Sequence, residues 1–76
     1  MSTASATVTL PAATLVEVID ELIESESISI GARGTAYLAL VVEARRRGFD
    51  PALPIDGDVL DTLVIDAIPR ALWLHA

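Results

Sequence analysis

Three groups of side chains have the types and spacing to do chemistry: Arg45-Arg46-Arg47, then Asp56, Asp58 and Asp61, and finally His75 with its neighbours. Consecutive arginines can hold an anion, a phosphate backbone or an acidic partner helix. Followed by Gly48, they also suit the negative end of a helix dipole and solvate that end. The three aspartates supply hard oxygen ligands within six residues. They lack the regular alternation and the closing Glu of a calcium loop, so capping and turn formation explain them better. His75 invites a role as a base beside Asp66 and Trp73. It is hard to hold in place so near the end of the sequence, and no cysteine or positioned serine completes a nucleophilic set. The expectation is a protein that works by binding, not an enzyme, with no cofactor and no metal.

The totals point the same way. A chain of 76 residues makes one small domain, and domains near this size bury only about 60% of their unfolded surface. Disulfides, metals and oligomerisation are the usual aids to stability. With no cysteine and a single histidine, oligomerisation is the aid left open. Eleven acids against five arginines give a net charge of −6, which opposes general affinity for nucleic acid. Residues 1–26 hold five acids and no base, so charge is polarised along the chain. Met1–Ala6 has no basic signal-peptide region and the longest apolar run, Ala36–Val42, is far short of a membrane span, so a cytoplasmic protein with no membrane partner is expected.

Residues 1–6 are small and polar and read as a flexible tail. Thr7-Val8-Thr9-Leu10 alternates polar and apolar residues and predicts a short strand ended by Pro11. From Ala12 to Glu24, Leu15, Val18, Ile19, Leu22 and Ile23 repeat at helical spacing, with Glu17, Asp20, Glu21 and Glu24 opposite. A second helix is predicted from about Thr35 to Arg47, closed by Gly48 in the left-handed conformation with Phe49 folding back. A strand pair across 28–42 is its rival, because Ile28-Ser29-Ile30 alternates and Gly31–Gly34 resembles a hairpin loop. Residues 49–57 form a linker stiffened by Pro51 and Pro54. Asp58 then caps a third helix with an apolar stripe of Val59, Leu60, Leu63, Val64, Ala67 and Ile68, and Pro69 interrupts it. The whole segment 58–76, with Trp73, either binds a partner or covers the core.

The most telling stretch is Ala36–Ala44, which carries one charge in nine residues. A helix apolar on every side must be enclosed on every side. So small a chain has few elements to do this, and the pattern predicts a partner, above all a second copy.

The order of strand, acidic amphipathic helix, serine-containing turn and apolar helix over residues 5–48 resembles the ribbon-helix-helix family of dimeric repressors and antitoxins. The resemblance implies a mainly α fold, a short N-terminal strand followed by three helices, assembled as a homodimer. Strands of two copies would pair into a ribbon in the DNA major groove, with Thr7 and Thr9, and more remotely Ser5, reading bases. Ser29, Gly31, Ala32 and Arg33 would lie near phosphate, and Val8, Leu10, Tyr37, Leu40 and Val41 at the dimer interface. The implied function is transcription regulation, as an antitoxin or repressor. In the antitoxin version residues 58–76 fold onto a toxin or another protein through Val59, Leu63, Ile68, Arg70 and Trp73. This sequence departs from the pattern in having no Arg, Lys, Asn or Gln in the strand, the side chains best suited to base contacts, so two threonines would give little discrimination in operator DNA.

Two other resemblances stop short. An acyl carrier protein needs a serine where Asp58-Val59-Leu60-Asp61 stands. Leu15–Leu22 resembles the first helix of the gas-vesicle shell protein, but Gly48–Gly57 is full of breakers where that family continues helical. The alternative fold is a monomeric three-helix bundle. The alternative function is an acidic protein–protein interaction module without DNA binding, such as a phage-type accessory, an inhibitor or a small structural protein.

Overall fold

A computed structural model describes residues 11–74. Three helices, α1 (Leu15–Glu24), α2 (Arg33–Arg46) and α3 (Gly57–Ala67), are accompanied by single 3-10 turns at Ile30–Ala32 and Arg70–Leu72. The first helix begins at Leu15 rather than at Ala12, because Thr14 and Glu17 form a reciprocal cap. The Thr14 backbone N–H donates to the Glu17 carboxylate at 2.8 Å, and the Glu17 N–H donates to Thr14 Oγ1 at 3.3 Å. Leu15 and Ile19 are its fully buried positions. Beyond Ser25 the chain reverses, the Ser27 N–H donating to the Leu22 carbonyl at 2.8 Å. The reversal holds Glu26 at φ +60°, the left-handed region that a residue with a Cβ enters at a cost of about 1–2 kcal/mol.

The second helix begins two residues earlier than the sequence pattern predicts, continuing directly from the 3-10 turn. It stops as its sequence requires. Gly48 sits at φ +87°, and the Phe49 N–H reaches back to the Ala44 carbonyl at 2.9 Å, satisfying a carbonyl the helix would leave free. The third helix ends before Pro69, which cannot continue the backbone ladder. Two antiparallel backbone bridges tie the connections together: Ala13 with Ile55, and Ile28 with Trp73. The first fixes the approaches to α1 and α3 side by side. The second clips the C-terminal segment to the turn after α1, and the Leu74 N–H donates to the Ser27 carbonyl at 2.9 Å.

The central helix is α2, which packs against both α1 and α3. Its core-facing stripe is Ala36, Leu40 and Ala44, each 0% exposed. Spaced four apart, these residues stand one above another, and the two alanines are short enough for the neighbouring helices to approach closely. Ile28, Ile55, Leu60, Leu63 and Ile68 complete the core.

This architecture corrects the ribbon-helix-helix reading. No β-strand occurs among the described residues, which form a three-helix bundle. The predicted strand Thr7–Leu10 lies outside the described residues. The rival strand pair across 28–42 is replaced by helix α2. In the dimeric fold the second helix finds its neighbours in a second copy, whereas here α1 and α3 of the same chain cover the stripe centred on Leu40. The assignment of the protein as a dimeric, DNA-binding repressor or antitoxin, drawn from that resemblance, falls with it. The alternative three-helix architecture describes what is observed. The expectation of complete enclosure also fails, because one chain sets only α1 and α3 against this helix. Only one stripe of α2 is covered, while Leu38 and Val42 remain 62% and 53% exposed.

No helix among the described residues is long and apolar enough to cross a membrane.

Candidate functional site

Between α1 and α3 runs a groove of about 490 Å³, lined by these two helices and the Pro11–Ala13 approach, with no residue of α2. Its floor is built by helical periodicity. Val18 and Leu22 are one turn apart on α1, Leu60 and Val64 one turn apart on α3, and all four line the groove. The paired bonds between Ala13 and Ile55, 3.0 and 2.9 Å, hold one end. Leu60 and Val64 are buried, while Val18 and Leu22 are half-buried. The apolar surface still open in the floor is therefore that of Val18 and Leu22, backed by the buried Leu60 and Val64.

Glu17, Glu21 and Asp61 form the rim. Glu17 is engaged locally, accepting from the backbone N–H and hydroxyl of Thr14. Among the described residues, none of the three carboxylates has a cationic side chain within salt-bridge distance. The groove is thus greasy below and negative above, a combination suited to an amphipathic helix with apolar anchors and basic flanks.

The arginines lie elsewhere and are mostly occupied. Arg33 pairs with Asp20, tying the start of α2 to α1. Arg46 and Arg47 hold Glu43 from two sides, at 2.8 and 2.9 Å, and Arg47 reaches across to Asp66 of α3 at 2.8 Å. The hydrogen bond from Arg47, helped by the charges of both arginines, pulls the Glu43 carboxyl below its ordinary range against a smaller opposing effect of desolvation. The same network raises Arg47, first through Asp66 and then through Glu43. Among the described residues Arg45 has no carboxylate within salt-bridge distance.

The residues proposed from sequence do not converge. Thr7, Val8, Thr9 and Leu10, assigned to DNA reading and the dimer interface, and His75, considered as a base, lie outside the described residues. Ser29 and Gly31 are exposed, and Ser29 precedes the 3-10 turn without making a side-chain cap. At the start of α2 the capping residue is Ala32, and Arg33 is paired with Asp20. Of the residues assigned to a dimer interface, Leu40 is wholly inside this chain, Val41 packs half-buried on the core and Tyr37 is exposed. Of those assigned to a partner, Leu63 and Ile68 are buried here, Val59 and Trp73 pack against the core, and Arg70 is exposed. Asp56 is the capping residue of α3 but makes no side-chain cap, and Asp58 lies in the first turn. The described residues contain no cluster of His, Cys, Asp or Glu able to hold a metal ion.

The groove itself was missed from sequence. Its signal was present in the placement of Glu17 and Glu21 beside Val18 and Leu22, and of Asp61 beside Leu60. That juxtaposition reads as an ordinary solvated face until α1 and α3 are seen to share it. Comparison with family models, curated proteins and solved structures returned no match.

Proposed function

We propose that this protein is an acidic protein–protein interaction module, acting by binding rather than catalysis in the cytoplasm, and that the α1/α3 groove is where it takes its partner. The observation that carries this reading is the groove's apolar floor bordered by Glu21 and Asp61, neither with a cationic side chain within salt-bridge distance among the described residues. A partner helix laying two or three apolar side chains along the groove would cover what Val18 and Leu22 leave open and touch the edges of Leu60 and Val64, and its flanking Lys or Arg would meet Glu21 and Asp61. Residues 58–76 contribute through Leu60, Asp61 and Val64, while Leu63, Ile68, Leu72 and Trp73 lie in or against the core.

A small interface of this kind predicts affinity on the order of micromolar, since association entropy offsets much of the burial. The test is calorimetric titration with a synthetic amphipathic helix bearing leucine anchors and arginine flanks, alongside the same peptide with glutamate flanks. The arginine peptide should bind, weaken as salt rises, and lose at least tenfold in affinity to the Glu21→Arg/Asp61→Arg double variant. Equal binding of both peptides, or of neither, would overturn the proposal.

A further inference from the structure

We infer that the occupant of the groove is a second copy of this chain, docked head-to-tail through the outer face of its α2. The inference rests on the groove being a binding site, as proposed above, and adds what binds there. Three observations favour it.

The first is apolar surface without cover. On the side of α2 away from its core stripe, Leu38 and Val42 are one turn apart and mostly exposed, with Tyr37 beside them. A contiguous greasy stripe of this sort on a small domain marks an interaction surface. The second is charge. Arg45 continues the stripe one turn beyond Val42 and has no carboxylate within salt-bridge distance among the described residues, and Arg46 lies beside it. The only acid of α2, Glu43, is engaged with Arg46 and Arg47. The face therefore offers apolar anchors followed by positive charge, which complements the floor and rim of the groove. Two α2 faces meeting each other, parallel or antiparallel, would offer Arg45 no free acid, since Glu43 is already engaged. The third is independence: the groove is lined by α1, α3 and the Pro11–Ala13 approach, and the stripe belongs to α2. One copy can give and receive at once.

An interface joining two different patches is heterologous, so assembly continues beyond a pair unless the geometry closes a ring. Each junction would set a neighbour's α2 against α1 and α3 and complete a four-helix arrangement, covering the Leu38 and Val42 side that one chain leaves open.

The experiment uses sedimentation of the full chain and of two variants with exposed substitutions, Val42→Asp (damaged stripe) and Glu21→Arg/Asp61→Arg (damaged groove). Leu38→Asp replaces the first if circular dichroism shows that Val42→Asp is not folded. Wild type should grow past two chains as concentration rises. Each variant alone should remain a single chain. Mixed in equal amounts, the two should form a two-chain complex and stop, because one intact stripe and one intact groove remain. A groove variant that still pairs while the stripe variant does not would show an α2-to-α2 twofold interface and overturn the inference. Wild type that stays a single chain at every concentration would also overturn it. If Val42→Asp nevertheless binds the arginine-flanked peptide, the groove reading stands without self-docking; if it binds no peptide either, both fall.

Discussion

Leu40→Ala tests whether one chain supplies the core. Leu40 is 0% exposed and lies between Ala36 and Ala44, which are equally covered. Truncating a buried leucine removes its transfer free energy and leaves a cavity, together costing about 2–5 kcal/mol. The neighbours one turn away on α2 are alanines, too short to reach into the vacated space, so relief would need movement of α1 or α3. The loss therefore belongs in the upper part of that range, about 3–4 kcal/mol. A domain of this size has total stability of about 4–11 kcal/mol, and each kcal/mol is worth about 4–8 °C in melting temperature. Urea and thermal unfolding, followed by circular dichroism at two widely separated protein concentrations, measure the loss. The difference between variant and wild type should be large and the same at both concentrations. A loss below about 1 kcal/mol, the size expected away from a packed core, would take Leu40 out of the core, and a loss confined to the higher concentration would move it to an interface.

Three further outcomes follow from local structure. Glu26→Gly should raise stability by about 0.5–1 kcal/mol, because glycine adopts the left-handed conformation at φ +60° without the Cβ penalty, at a partial cost in unfolded-chain entropy; a decrease in urea midpoint would contradict this. Glu43 titrates below its ordinary range when folded, so its contribution is present above the unfolded value and is lost as pH falls through the lowered folded value. Any advantage of wild type over Glu43→Gln at neutral pH should therefore vanish through that acidic interval, and an advantage that grew there would reverse the assigned sign. Trp73→Ala should destabilise by about 1–3 kcal/mol, less than for a fully buried Trp, since Trp73 is half-buried and packs on the core; an unchanged melting temperature would free the C-terminal segment from that role.

Much of the helical architecture was legible in the residues. The spacing of Leu15, Ile19 and Leu22 identifies α1, Arg47-Gly48-Phe49 identifies the stop of α2, and Pro69 separates α3 from the last turn. What misled was size. Ala36, Ala39 and Ala44 add to an apolar count but demand little cover, so two helices of one chain can enclose the stripe around Leu40. The resemblance to a strand-led dimer depended on that missing distinction and on residues 7–10. The groove was hidden for a different reason. Periodicity shows which side of each helix is apolar, but not that the edges of two such sides will meet and share a border of acids. Such a site depends on how α1 and α3 are set beside each other, which the Ala13–Ile55 bridge helps to determine and which no local pattern displays.

The most direct test of the groove as the binding surface is a map of amide chemical shifts on single-chain Val42→Asp as the arginine-flanked peptide is added. If the groove is the binding surface, saturable changes will concentrate at Val18, Glu21, Leu22, Leu60, Asp61 and Val64. Changes concentrated instead on Tyr37 and Leu38, or none at saturating peptide, would contradict it.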